Sequence, residues 1–242
     1  MKKYLNPKKY KDYFSQKFKS IFWGLMKIDT IRFNICKLRW NYYKKQLKIL
    51  DGFTDQVGED TINHNISAFN DDAVFGMGKR MSLLLYPIAA FLGTCNNASL
   101  LIVGPRSEDD IFWAKSLGIG NTVGLDLFSY SNLIQLGDIH NTGLPSHSFD
   151  AILLGWMISY SSDPDTVINE CKRLIKPSGY LGIGIESDPK QKYNGIRSPR
   201  VNYLNTSDDL INLVNEEVVF VYDPKLDTSY ECAVILKMNQ LE

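Results

Sequence analysis

Two patterns of apolar positions divide the chain. Over the first fifty residues, apolar side chains recur every three or four positions. Tyr10, Phe14, Phe18, Ile21 and Leu25 form one stripe, and Ile28, Ile31, Ile35, Leu38 and Tyr42 form a second. Both predict amphipathic helices with Lys and Arg on the remaining face. Residues 51–80 are polar and turn-rich, which predicts a connector with short helices. Residues 81–93 form an apolar run that fits a buried helix interrupted near Pro87. From Ala98 onward, short continuous apolar runs alternate with helical segments.

Those runs predict strands buried on both faces. They are SLLIV (99–103), NTVGLD (121–126), residues 133–136, SFDAILLGW (148–156) and YLGIGIE (180–186). EVVFVYD and YECAVILKM read as a closing pair of strands. Between the strands lie helix signals. Ser107 sits where an N-cap belongs, with Glu108, Asp109 and Asp110 in the first turn and Gly118 as the stop. Asp163 precedes Pro164, an N-cap followed by proline at the first helical position, and residues 176–179 end that helix. Residues 206–209 open a last helix that runs to about Asn215. The alternation predicts an α/β fold: a Rossmann-like, mostly parallel sheet with helices on both faces and a C-terminal β-hairpin, preceded by a basic helical segment. The expected organisation is 1–50 for the basic helices, 51–95 for a connector and helical cap, and 96–242 for the Rossmann-like domain.

Charge sharpens this division. The 242 residues carry 27 basic and 27 acidic side chains, a formal net charge of zero. Residues 1–50 hold 14 Lys or Arg against Asp12 and Asp29, a balance of +12, so the remainder carries −12. Three readings compete for the arm: an anionic membrane surface, nucleic acid, or the acidic body of its own chain. The acidic body and the lack of a nucleic-acid module disfavour the second, and a partner enzyme is a further candidate for docking. No apolar run approaches the roughly 20 residues of a membrane span, and no secretory signal is visible. The expected location is cytoplasmic, with peripheral association at the inner membrane face open. Cys36, Cys95, Cys171 and Cys232 form no CxxC pair and read as reduced core thiols.

In open α/β sheets, ligands bind beyond the carboxyl ends of the strands. Gly104 lets backbone approach a ligand there, and Asp126 can accept hydrogen bonds from ribose hydroxyls. Both features fit a dinucleotide or an adenosyl ligand. The helix after the first strand opens with three carboxylates, Glu108, Asp109 and Asp110, which would repel a pyrophosphate. A cationic sulfonium such as S-adenosylmethionine is easier to accommodate, with Arg106 to meet its one carboxylate.

The order and spacing of these segments resemble the class I S-adenosylmethionine-dependent methyltransferases over about residues 96–237. LLIVGPRSEDD resembles their first motif, GLD ending at Asp126 the acidic second, GDIHNTGLPSHSFDAILLGW the third and fourth, and RLIKPSGYLGIGIE the segment that follows. More narrowly, the GPR-type first motif resembles a methyltransferase-like group often associated with surface-polysaccharide genes. The resemblance implies that Gly104, Pro105 and Arg106 line the amino-acid end of the cofactor. It further implies that Asp126, with Leu127 beside it, binds the ribose, that Asp138 faces the adenine amino group, and that Ile139 packs on the ring. Trp156 would lie near cofactor or acceptor.

The sequence departs from the family pattern in two places. Of the three alternating glycines in the first motif only Gly104 is present, with Arg106 and Glu108 in the other two positions. The space between Asp126 and Asp138 is too short for the usual helix, which predicts a turn around residues 129–132. Either side chain, Arg106 or Glu108, would defeat the assignment if it filled the groove. Candidate bases for an acceptor hydroxyl are His140, with Tyr160 and Glu186 as alternatives. His147 falls at the opposite sheet edge, and His64 lies in the connector. No cluster has metal-ligand spacing, so no metal is expected. The function expected from the resemblance is O-methylation of a glycan or small polar acceptor. A catalytically inactive docking protein is the alternative.

Overall fold

The computed structural model describes residues 17–51, 62–63, 65–66, 80–93, 97–188 and 204–239. The expectations placed on Tyr10, Phe14, His64 and Cys95 lie outside these residues. Residues 17–25 are helical and turn into helix α1 (Asp29–Tyr43). A short strand β1 (Lys48–Ile49) and helix α2 (Ser82–Leu92) follow. The alternating body then comprises β2 (Ser99–Val103), α3 (Asp109–Ser116), β3 (Asn121–Asp126), β4 (Phe128–Ser129), β5 (Ile134–Leu136) and β6 (Phe149–Gly155). It closes with α4 (Pro164–Leu174), β7 (Ile175–Ser187), α5 (Ser207–Val214), β8 (Glu217–Tyr222) and β9 (Tyr230–Lys237).

The main sheet has the order β5-β3-β2-β6-β7-β9-β8. Pairing is parallel from β5 through β7, and β9 runs antiparallel to both neighbours. Continuous apolar strands are explained by this burial. Leu100 and Ile102 enter the core on one face, under α1, α2 and α3. Leu101 and Val103 enter the other, under α4 and α5. The central strand β2 therefore needs an apolar residue at almost every position.

The start signals of α4 and α5 act where the pattern placed them, whereas α3 takes Glu108 rather than Ser107 as its N-cap and α4 ends at Leu174, before the expected 176–179, which belong to β7. The Asp163 carboxylate accepts the Thr166 N–H at 3.1 Å, with Pro164 at the first helical position. Thr206 and Asp209 form a reciprocal capping box at the start of α5. Helix α2 runs unbroken through Pro87, contrary to the expected interruption. Proline costs it one hydrogen bond, but Leu84, Leu85 and Ile88 are fully buried. Each such burial contributes about 1.5–3 kcal/mol, enough to hold the helix together. No helix lies between β3 and β5. The chain turns back through residues 127–133, as the short spacing predicts.

The arm packs on its own body, and of the predicted stripes Ile31 and Ile35 pack half-buried against the core, but the fully buried face is a different one. Arg32, Cys36 and Trp40, spaced by four, form the buried face of α1. Phe18, Ile21, Leu25, Ile28, Leu38 and Tyr42 remain exposed. The charged Arg32 can be buried because Asp109 accepts from its Nε at 2.8 Å, and the Met26 carbonyl and Asp29 take its remaining nitrogens. Its guanidinium also lies 4.5 Å from the Trp113 ring centroid. Cys36, Cys171 and Cys232 are buried free thiols.

Candidate functional site

The carboxyl ends of β2, β3 and β6 open on one cavity of about 270 Å³. A two-residue ladder, β1 against β4, and a hydrogen bond from Leu50 N–H to the Leu127 carbonyl (2.8 Å) carry the connector to its rim. Leu50, Asp51 and the buried Asn65 thereby enter the wall. At its base Gly104 adopts φ +66°, and a Cβ there would stand 3.2 Å from Met157 Cβ. A side chain there would be strained in the backbone and would have to push Met157 aside, so glycine suits the position.

Asp126 ends β3 in the cavity wall. Its Oδ2 accepts the Arg106 backbone N–H at 3.0 Å. Burial pushes its carboxyl up to about 6, while the N–H groups of Arg106, Leu127 and Phe128 act in the opposite direction. Arg106 has φ 56°, the left-handed region natural to the glycine expected there. Its side chain is half-buried and lines the cavity, and burial lowers its affinity for the proton, with nearby Arg80 adding to the effect.

His140 is fixed at both ring nitrogens. Nδ1 lies 2.6 Å from Asp138 Oδ1, and Nε2 lies 2.8 Å from Ser161 Oγ. The His140 backbone N–H also donates to Asp138 Oδ1 at 2.9 Å. Burial opposes charge on Asp138, yet these hydrogen bonds hold its carboxyl below the usual range. An ionised Asp138 can only accept, so Nδ1 carries the proton and Nε2 is the acceptor facing Ser161. The Asp163 N–H donates to Ser161 Oγ at 3.0 Å.

The acidic turn of α3 does not face the ligand space. Arg39 Nε and Nη2 bind the two carboxylate oxygens of the fully buried Glu108 at 2.5 and 2.8 Å. Asp109 pairs with Arg32. Asp110 is half-buried, and desolvation followed by the Asp109 charge raises its pKa. The expectation that three carboxylates would repel a pyrophosphate is corrected on this point: two are bound by the arm and the third is driven toward neutrality. The charges that line the cavity are instead Asp51, Asp126, Asp138 and Arg106. That carboxylate excess still favours a cation.

Seven of the eight residues expected around the cofactor line this cavity: Gly104, Arg106, Asp126, Leu127, Asp138, Ile139 and Trp156. Pro105 is buried against Gly124 of β3 instead. Of the candidate bases, His140 and Tyr160 reach the cavity wall. Glu186 is on β7 opposite Glu231 of β9, outside that lining. The Trp156 indole packs across Gly184, its N–H donates to Glu231, and Arg80 lies 5.0 Å from its ring centroid. His147 bonds the Ile175 carbonyl at the amino end of β7, away from the site. Sequence reasoning missed Asp51, Asn65, Met157 and Ser161. Ser161 follows a 3₁₀ turn (Ile158–Tyr160), which has no periodic signature.

The cavity has the properties an adenosyl sulfonium requires. It offers a bare backbone at Gly104, a carboxylate acceptor at Asp126, an apolar wall at Ile139 and an excess of carboxylates. Asn65 Oδ1, buried in the same wall, finds no hydrogen-bond partner among the described residues.

Comparison with known proteins agrees with this fold. Residues 111–183 match the family described as a methyltransferase domain. The fold is similar to that of Burkholderia thailandensis 1,6-didemethyltoxoflavin-N1-methyltransferase, solved with bound 1,6-didemethyltoxoflavin and S-adenosylhomocysteine. Identity is 14% over 80% of this chain and 95% of that one, with a TM-score of 0.56. It is also similar to a chain from the complex of the Haloferax volcanii Trm112 methyltransferase activator with a methyltransferase. There the identity is 13% over 78% of this chain and 100% of the other, with a TM-score of 0.55. No curated protein matches the sequence. The domain match and these structural likenesses agree with the Rossmann-like sheet of the body.

Proposed function

We propose that the protein is an S-adenosylmethionine-dependent methyltransferase acting on a hydroxyl oxygen of a glycan or other small polar acceptor. The observation that carries this reading is the single cavity that gathers Gly104, Arg106, Asp126 and His140 from separate strands and loops. Asp126 would accept the ribose hydroxyls, Arg106 would meet the cofactor's carboxylate, and Ile139 would pack on the base. The chemistry supplied by S-adenosylmethionine, when bound, is an electrophilic methyl group on a sulfonium.

The chain's own residues then have to orient the acceptor and take its proton. Asp138 holds His140 with Nδ1 protonated, which leaves the Nε2 lone pair for base work. Ser161 stands between that lone pair and the Asp163 N–H. Its hydroxyl can pass a proton to Nε2 as it receives one from the acceptor. Asp138 therefore acts as the orienter of the imidazole, because Oδ1 is already engaged twice by His140.

The rival reading, an inactive docking protein, is favoured by one observation. Arg106 replaces a motif glycine and its side chain lines the cavity. Transfer of labelled methyl groups to a panel of hydroxylated saccharides separates the two. Activity that disappears in His140→Ala supports the transferase. Absence of transfer to any acceptor, with no binding of S-adenosylhomocysteine, supports the docking protein.

A further inference from the structure

The helical stretch 17–25 is apolar on two sides, and the body uses only one. Phe22 and Trp23 pack against Phe112 with ring centroids 6.3 and 6.0 Å away, and Met26 is fully buried. On the other side Phe18, Ile21 and Leu25, spaced three and four apart, are 71, 56 and 42% exposed, and Ile28 in the turn that follows is 50% exposed. Single exposed apolar residues are ordinary. Three on one helical face, with a fourth in the adjoining turn, expose apolar surface that water does not favour.

The charges beside this stripe have one sign. Lys19 and Lys27 are exposed, residues 17–28 contain no carboxylate, and the adjoining Asp29 is paired with Arg32 at 2.9 Å. The preceding sixteen residues add five lysines against Asp12 alone. The stripe is also held in place. Arg32 donates to the Met26 carbonyl at 3.0 Å and to Asp109 at 2.8 Å, which ties the turn after the stretch to the body. The carboxylates at the start of α3 thus pair with Arg32 and Arg39.

We propose that Phe18, Ile21, Leu25 and Ile28 seat the protein on an anionic lipid surface, with Lys19 and Lys27 against the headgroups. Apolar side chains flanked by lysine are what an interfacial helix presents to a bilayer. A nucleic acid would leave the stripe in water. No helix among the described residues is long and apolar enough to cross a membrane, so the association is peripheral. This docking does not depend on the chemistry assigned to the cavity.

The test is co-sedimentation of the full chain with phosphatidylserine-containing phosphatidylcholine vesicles and with phosphatidylcholine alone. Binding should require the anionic lipid and weaken in high salt. It should fall at least about tenfold in the triple variant Phe18→Ser, Ile21→Ser, Leu25→Ser. Circular dichroism melting of that variant should stay close to the parent, since all three side chains are exposed. Equal recovery with both lipids, or no recovery with either, overturns the proposal. So does a parent dimer, measured by ultracentrifugation, that the triple variant converts to monomer without any vesicle binding, because the stripe would then join two copies of the chain.

Discussion

Arg39 grips Glu108 through two hydrogen bonds of 2.5 and 2.8 Å, at the position where the resembled first motif carries its third glycine. The departure from that motif therefore has a structural cause. Glu108 is fully buried and turned away from the cavity, toward Arg39 and the Tyr130 hydroxyl that accepts its backbone N–H at 3.1 Å. Trp40 packs edge-on against the same Tyr130 ring. A residue that looks like damage to a ligand site is the anchor of the N-terminal helices.

Arg39→Met should strand the Glu108 carboxylate without a partner. A loss of about 3–5 kcal/mol is expected, the usual result of breaking a buried pair on one side. Arg39→Met combined with Glu108→Gln should recover most of it. Urea unfolding of the two variants beside the parent measures this, and equal stability of single and double variants would show that the pair is not coupled.

At Gly104, alanine meets both an unfavourable backbone angle of +66° and the Met157 side chain. Gly104→Ala should cost about 1–3 kcal/mol. The cavity should narrow with it, so S-adenosylhomocysteine affinity should drop more than stability alone explains. Thermal melting and calorimetry on the same preparation separate the two effects.

His140→Ala and Asp138→Asn should leave cofactor affinity within about threefold of the parent. Turnover should fall by about 10²–10⁴, the range for loss of a general base. Ser161→Ala should lower turnover with a smaller effect on binding. If His140→Ala retains full turnover, the proton is taken elsewhere and Tyr160 becomes the next candidate.

Glu170 supplies a test of acid stability. Arg173 donates two hydrogen bonds of 2.7 Å to it, and Thr142 donates from both its hydroxyl and its backbone. The bonds from Arg173 come first in holding its carboxyl at about 2, with burial opposing them. A depressed carboxylate contributes stability that is present above its unfolded pKa of about 4.5 and lost as pH falls through about 2. The urea midpoint of the parent should therefore drop between pH 5 and pH 3 more than that of Glu170→Gln.

Much of the fold was legible because burial on both faces forces continuous apolar strands. SLLIV and NTVGLD match β2 and β3 residue for residue. Helices α4 and α5 announced themselves by Asp163 with Pro164 and by Thr206 with Asp209. The face of α1 was not legible. Hydropathy selects Ile28, Ile31, Ile35, Leu38 and Tyr42, of which Ile31 and Ile35 pack half-buried on the core, whereas the fully buried face centres on Arg32, which only its pairing with Asp109 makes tolerable in the core. The β1–β4 ladder is two residues long and leaves no periodic trace, so its delivery of Asp51 to the cavity could not be read in advance. Within the site, Gly104, Asp126 and Asp138 were accessible because strand ends are where α/β sheets bind ligands. Ser161 was not, since nothing in its neighbourhood marks it as the partner of His140.

The most direct measurement is calorimetric titration of the full chain with S-adenosylhomocysteine between pH 5 and pH 8. The cavity should bind it with a dissociation constant on the order of micromolar, and Asp126→Ala should weaken that by about tenfold or more. Ligand hydroxyls favour the ionised Asp126, so affinity should rise with pH and level off above about 6, where its carboxyl titrates. The same raised pKa means that Asp126 contributes stability below about 4 and loses it as pH climbs through about 6. Flat heats at saturating ligand across the whole pH range would contradict the account.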